Sequence, residues 1–274
     1  MSGYRFCRTD DIPLLVDAYN ACRGASRDEP ALTVAAFKQA VREIGLWASS
    51  CMLAFEGETP IAVLLGAKNE EANFVHRIVV REDRQRKGHG RHLIDSLKRK
   101  CAILGPARLL TEVPAELAGP RRFFAGCGFV EQARYADLVA DAPPVALPTA
   151  SALVCEASPD EVLESADIDR SIPRSWQRSL SLIRKRSREM AALAIASDVR
   201  VEAYLLHRER DIVALGASRP ELLAPLLAAL DRRVGSPLRL ARVADAEAPM
   251  AALAPLGFRR ETEYIGYAVD PATP

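Results

Sequence analysis

Apolar positions change period along the chain, and the changes mark the elements. A short apolar strand over 4–7 precedes Thr9, Asp10 and Asp11, which are placed to cap a helix carrying Ile12, Leu15, Val16 and Tyr19. Val34, Phe37, Val41 and Ile44 share one face of a second helix over about 33–44. Residues 51–56 and 60–65 flank the turn Glu56-Gly57-Glu58 and read as a β-hairpin. An apolar run over 74–80 predicts a buried strand, and helical spacing follows over about 89–104. A strand over 106–113, a short helix ending at Gly128-Phe129 and a strand over about 130–139 complete this half.

The remainder follows the same plan. Residues 152–156 predict a strand, Pro159 opens a helix, and a basic amphipathic stretch covers 175–188. Strands over 190–196 and 201–207 lead to a strand at 211–217, a helix at 220–233, a strand at 237–243, a short helix ending at Gly257-Phe258, and a strand at 261–269. The two Gly-Phe pairs are offset by 129 positions (257 − 128), and Pro106 and Pro237 by 131 (237 − 106). A near-constant offset across several elements predicts a duplicated domain. The Pro-rich stretch 139–150 is the natural joint. The expected organisation is a domain over 1–140, a linker over 141–150 and a second domain over 151–274.

The chemistry concentrates between strand 74–80 and the helix after it. The loop reads Arg84-Gln85-Arg86-Lys87-Gly88-His89-Gly90-Arg91. Two glycines let the backbone approach a ligand closely, and free amides at a helix N-terminus favour an anion, most naturally a phosphate. Neither a Rossmann nor a Walker pattern fits. Gln85-Arg86-Lys87-Gly88-His89-Gly90 resembles the Q/R-x-x-G-x-G/A pyrophosphate loop of the GNAT superfamily of acyl-CoA-dependent N-acyltransferases. The order of elements in the first half is also similar to that family's. The resemblance implies an α/β (α+β) fold of two tandem GNAT-like domains, each a mixed, mostly antiparallel sheet flanked by helices. It also implies acetyl-CoA as co-substrate, with its pyrophosphate on Arg84, Gln85, Arg86, Lys87, Gly88, His89, Gly90 and Arg91 and its pantetheine along Ile78, Val79 and Val80.

Family chemistry needs a base, a polarised carbonyl and a proton for the leaving thiolate. His76 falls where some members carry a strand histidine, and simple alternation puts it on the face of Ile78 and Val80. A structural hydrogen bond is an equally good reading of it. Glu112 is a second base or an amine anchor. The family's tyrosine before the Gly-Phe pair corresponds to Phe124, which lacks a hydroxyl but still falls in the CoA motif, and its upstream asparagine corresponds to Leu117. Cys127 is a substitute acid, with Tyr135 and Tyr264 as further phenols; His92 and His207 read as structural. In the second half Ser218-Arg219-Pro220-Glu221 joins strand to helix directly and reads as a capping box that fills the early amides. A degenerate second domain without its own CoA is expected.

Composition narrows the alternatives. In 274 residues the net charge is +1, with 49% hydrophobic and 27% charged residues, so the chain is no nucleic-acid polycation. No run suits a membrane span and the start lacks a signal-peptide core, which predicts a cytoplasmic protein without a membrane partner. Six scattered cysteines and four histidines show no metal spacing, so reduced thiols and no metal are expected. The leading function is N-acetyl transfer to a small-molecule or peptide amine. The alternatives are a non-catalytic CoA-binding sensor or scaffold, and a nucleic-acid module using Arg178, Arg184, Lys185, Arg186 and Arg188, which neighbouring acids disfavour. Acceptor and oligomeric state stay open.

Overall fold

A computed structural model describes residues 2–23, 30–142, 153–165, 172–198 and 200–270. The chain forms two compact units. One comprises residues 1–113, 117–132 and 266–274, the other 114–116 and 133–265. Most of the strand that closes the first sequence half therefore lies in the second unit, and the last residues of the chain lie in the first. Most of the expected linker, from residue 143 onward, is outside the described residues.

Unit one runs through β1 (Ser2–Phe6), α1 (Ile12–Arg23), α2 (Val34–Ile44), β2 (Met52–Glu56), β3 (Thr59–Lys68), β4 (Asn73–Val80), α3 (His89–Leu104), β5 (Leu109–Pro114) and α4 (Ala118–Gly126). Strands β1 to β5 lie side by side in chain order. All neighbours are antiparallel except β4 and β5, which are parallel. Local chemistry sets the helix ends. Thr33 accepts the Ala36 amide at 3.0 Å to start α2, and Gly45 ends it in the left-handed region at φ 69°. The cap expected for α1 takes another form. Thr9–Asp11 is a separate 3₁₀ turn in which Asp11 accepts the Arg8 amide and pairs with Arg5, both at 2.7 Å. The Arg5 guanidinium and that amide hold the Asp11 carboxyl down at about 2. Between helices and sheet, Leu15, Phe37, Leu53, Leu64, Leu93 and Ile94 are fully buried.

Unit two contains most of β6 (Val130–Ala140), then β7 (Cys155–Ala157), α5 (Pro159–Ser165), α6 (Leu180–Lys185), β8 (Ala191–Ala196), β9 (Val201–Arg208), β10 (Asp211–Ala217), α7 (Leu223–Val234), β11 (Leu238–Ala244), α8 (Met250–Leu253) and most of β12 (Phe258–Val269). Its strands follow the order β6-β11-β10-β9-β8-β7, again with one parallel pair, β10 and β11. Both sheet faces are covered. Leu226, Leu227 and Leu230 of α7 pack on Leu205, Leu238 and Leu240, while Val162 of α5 and Ile183 of α6 cover Leu206 and Ala214.

The basic stretch 175–188 is not one helix. It is a 3₁₀ turn at Trp176–Arg178, the six-residue α6, and a second 3₁₀ turn at Ser187–Glu189. Arg178, expected on a solvated basic face, is only 2% exposed. Its guanidinium grips Glu247 at 2.6 Å, and Arg174 reaches the same carboxylate at 2.7 Å. Five of the six cysteines are buried and Cys155 is exposed. Burial pushes the Cys7 and Cys51 thiols up to about 12. No helix among the described residues is long and apolar enough to cross a membrane.

The Arg174–Glu247–Arg178 cluster makes a prediction for stability. Replacing Glu247 by Gln leaves two guanidiniums without their counter-charge in a buried setting, which costs about 3–5 kcal/mol. Denaturant unfolding should show that loss for Glu247→Gln, against about 0.5 kcal/mol or less for the exposed Arg184→Ala. A Glu247→Gln loss as small as that of the control would contradict the assignment.

Candidate active site at the parting of β4 and β5

The site starts from two parallel strands that pair and then part. β4 and β5 are in register at Asn73–Leu109, Phe74–Leu110 and Val75–Thr111, and the ladder stops there. Thr111 Oγ1 donates to the Val75 carbonyl at 3.0 Å, pinning the last rung. At the other end Asn73 holds the strands together: its amide donates to the Arg108 carbonyl at 2.9 Å and its Nδ2 to the Pro106 carbonyl at 2.7 Å. Beyond the last rung β4 continues from His76 to Val80 with β3 on one side and no β5 pairing on the other. On that side β5 pairs with none of Ile78, Val79 and Val80, the residues expected to lie along the pantetheine, and the Val80 carbonyl is taken by a side chain of the following loop.

His76 and Glu112 are the next residues after the last rung on their two strands, and both are half-buried. His76 does not lie on the face that alternation predicts. Gly66 of β3 pairs with Val75 and Leu65 with Arg77, so His76 is the extra residue of a β-bulge. The insertion resets the alternation: Ile78 and Val80 continue the face of Val75, while His76 shares the side of Phe74 and Arg77. The Phe74 and His76 rings are 6.3 Å apart, and Arg77 Nη1 donates to Tyr19 of α1 at 3.4 Å. Nothing in the periodicity of the run 74–80 reveals the bulge.

The loop over residues 81–88 turns through Glu82–Arg84 and reaches α3 by two left-handed residues, Arg86 at φ 62° and Gly88 at φ 83°. Gly88 is the N-cap of α3 and brings no side-chain cap. The helix ladder begins with the His92 amide donating to the Gly88 carbonyl at 3.0 Å. The amides of His89, Gly90 and Arg91 in the first turn thus have no intrahelical acceptor and no capping side chain.

The basic side chains divide. Arg84 is tied to Glu56 in the β2–β3 hairpin, and Lys87 Nζ donates to the Asp83 carbonyl at 3.0 Å. Gln85 Nε2 donates to the Val80 carbonyl at 3.1 Å, closing the loop onto its own strand. Arg86 and Arg91 are exposed. Gly90 answers to packing: a Cβ there would meet the Phe123 ring at 3.2 Å and Val80 Cγ2 at 3.6 Å. Phe123 is therefore packed into the site although it was not named among the expected site residues, because nothing in the sequence places its ring against Gly90.

Phe124 is 5% exposed, with its ring edge-on to Phe123 and Phe129 at 5.1 and 5.2 Å. Cys127 is also buried, and burial raises its thiol pKa. Tyr135 and Tyr264 belong to unit two. The first donates to the Arg174 carbonyl at 3.1 Å, and the second carries the Arg242 guanidinium 3.9 Å above its ring. The phenol that meets α4 is Tyr267, whose oxygen accepts from Arg121 Nε at 3.4 Å. Among the described residues no cluster of His, Cys, Asp and Glu is placed to hold a metal ion.

Unit two builds the same fork differently. β10 and β11 share a single rung, Asp211–Arg239. Beside it Arg178 Nη1 donates to the Ile212 carbonyl of β10 at 3.0 Å while its other nitrogens hold Glu247, just past β11. A side chain of the protein thus takes up β10 backbone at the fork. Only residues 218 and 219 separate β10 from the 3₁₀ turn Pro220–Leu222 that precedes α7. The expected capping box does not form. Ser218 Oγ donates instead to Glu202 Oε2 at 2.7 Å, and the Ser218 amide to the Glu202 carbonyl at 2.7 Å, because β9 offers an acceptor directly alongside.

Residues 13–129 match the acetyltransferase (GNAT) family model. Comparison of the sequence with curated proteins gives no match. Among solved structures, a GCN5-related N-acetyltransferase from Sphaerobacter thermophilus aligns with TM-score 0.65 at 15% identity, over 98% of this chain and 95% of its own. A tandem GNAT protein from the clavulanic acid biosynthesis pathway aligns with TM-score 0.62 at 15% identity, over 99% of each chain. A GCN5-related N-acetyltransferase from Anabaena variabilis aligns with TM-score 0.60 at 9% identity, over 98% of this chain and 73% of its own. At these identities the structural likeness speaks for the fold alone: residues 13–129 match the acetyltransferase (GNAT) model, and the chain as a whole has the tandem GNAT fold.

Proposed function

We propose that the protein is an acyl-CoA-dependent N-acetyltransferase whose active site is the fork of β4 and β5 in unit one, and that unit two binds no CoA of its own. The observation that carries this reading is the coincidence of a strand edge that β5 leaves and an uncapped helix start. The edge of β4 at Ile78 and Val79, which β5 does not pair, suits the amide-bearing pantetheine arm, and the uncapped start of α3 suits its pyrophosphate. Gly88, with a left-handed backbone and open space where a Cβ would stand, forms the bend of that cradle.

Acyl-CoA supplies the thioester carbonyl, and the protein's residues do the rest. An amide of β4 near the bulge polarises that carbonyl, so no side chain is required for it. His76 or Glu112, at the mouth of the fork, takes the proton of the acceptor ammonium through water and leaves a neutral amine. The new C–N bond forms as the C–S bond breaks, and the departing thiolate takes a proton. Phe124 cannot donate it. Cys127, water or the ammonium formed on the acceptor remains as its source. A primary amine of a small molecule or peptide is the acceptor class, and an enzyme of this kind needs no metal.

The burial of Phe124 favours one second reading, a protein that binds CoA as a sensor or scaffold without turnover. Thiol release from acetyl-CoA against a panel of amines separates the two. Acceptor-dependent release supports transfer; CoA binding with no release across the panel supports the sensor.

Two sets of variants follow. Gly88→Val strains a left-handed position, and Gly90→Val drives a side chain into Phe123 and Val80, so each should weaken CoA binding at least about tenfold by calorimetry. Unchanged affinity in folded variants would remove the loop from the site. His76→Ala should abolish the acidic limb of the pH–rate profile. An unaltered profile would return His76 to a structural role and leave the base to Glu112. Phe124→Tyr should raise turnover if proton donation limits the rate.

A further inference from the structure

The first turn of α3 is held from a direction that the loop motif does not contain. Tyr4 of β1 pairs with Ala54 of β2, Ala54 with Ala62 of β3, and Ala62 with Val80 of β4. In-register residues share a face, so these four form one row across the sheet. The two alanines between the larger side chains are fully buried. The helix start sits over the two ends of this row. At one end Val80 lies under Gly90. At the other the Tyr4 ring packs at a tilt of 39° against His92 with centroids 3.9 Å apart, and its hydroxyl is hydrogen-bonded to His89 Nδ1 at 2.6 Å.

His89 is the first residue of α3 and stands between the two glycines of the cradle. Helical side chains lean toward the helix N-terminus, so its ring is carried to the end where the free amides are. Tyr4 occupies Nδ1. When the phenol donates to Nδ1, the neutral ring carries its proton on Nε2. In the imidazolium form both nitrogens carry protons and the phenol oxygen accepts. In these two states Nε2 is a donor; the third, a neutral ring donating Nδ1–H to the phenol oxygen, leaves a lone pair on Nε2, and a bound phosphate disfavours it.

We propose that Tyr4 and His89 act as a positioning pair: Tyr4 fixes the His89 ring so that Nε2–H donates to the pyrophosphate of the acyl-CoA. This rests on the function proposed above. It adds a side-chain donor to a cradle otherwise made of backbone amides, and it gives the N-terminal strand a part in cofactor affinity. The ionisable groups that ring contacts place around it are Tyr4 from β1 and, through Tyr4, His92 from α3.

The test is calorimetry with two probes, CoA and pantetheine, the second lacking the pyrophosphate and measured by displacement. His89→Ala should bind CoA about tenfold more weakly, the scale of one charge-assisted hydrogen bond. Tyr4→Phe should bind it about threefold more weakly, and His89→Gln, which restores a side-chain N–H, should recover part of the loss. Pantetheine should bind wild type and all variants alike. If CoA affinity is unchanged in His89→Ala, or if pantetheine weakens as much as CoA, the pair is only a structural tether and the proposal is overturned. If the wild-type protein fails to bind CoA, the function proposed above fails first, and the inference with it.

Discussion

The architecture of unit one turns on where two parallel strands stop pairing. Main-chain amides and carbonyls inside a sheet need partners, and a central strand normally finds them on both sides. β4 finds them in β5 only as far as Val75. Thr111 then fixes the point of separation, and β5 pairs with no residue of β4 beyond it. The same fork in unit two is met by the protein itself: Arg178 takes the Ile212 carbonyl and is neutralised by Glu247. A cluster of two arginines and one carboxylate is an expensive way to occupy a fork, because the desolvation of each charge costs several kcal/mol before pairing offsets it. Its presence there and its absence from the β4 side separate the two units more sharply than the loss of the glycine loop does.

Within the proposed site, magnitudes also decide what would hold the anion. The Arg84–Glu56 pair is partly exposed, so it contributes about 0–1 kcal/mol and keeps Arg84 turned to the hairpin. Hydrogen bonds from several free amides to a charged phosphate are each worth about 1.5–3 kcal/mol. The cradle therefore depends on where the first turn of α3 stands. That is set by close packing: Gly90 against Phe123 and Val80, and Tyr4 against His89 and His92.

Much of this was legible in the sequence. Helical spacing and the glycine loop locate α3 at His89–Leu104, where it stands, and the repeated Gly-Phe and Pro positions point to the tandem plan. The failures have physical causes. A bulge leaves composition and apolar run length untouched, so the side on which His76 points could not be read. Arg178 sits in a basic run and looks solvated, because its partner Glu247 is far away in sequence and only the fold brings it near. Ser218 and Glu221 have capping-box spacing, but β9 supplies Glu202 as a better-placed acceptor. Tyr4 carries no motif, and its place above α3 follows from a cross-strand row that needs the register of four strands.

Amide hydrogen exchange of the full chain with and without CoA, read peptide by peptide, probes the two forks directly. CoA should slow exchange in β4 beyond Val75 and in the loop and first turn of α3, over residues 76–92, and should leave residues 211–224 of unit two unchanged. Protection over 211–224, or none over 76–92 at saturating CoA, would contradict the assignment of the ligand to the open fork of unit one.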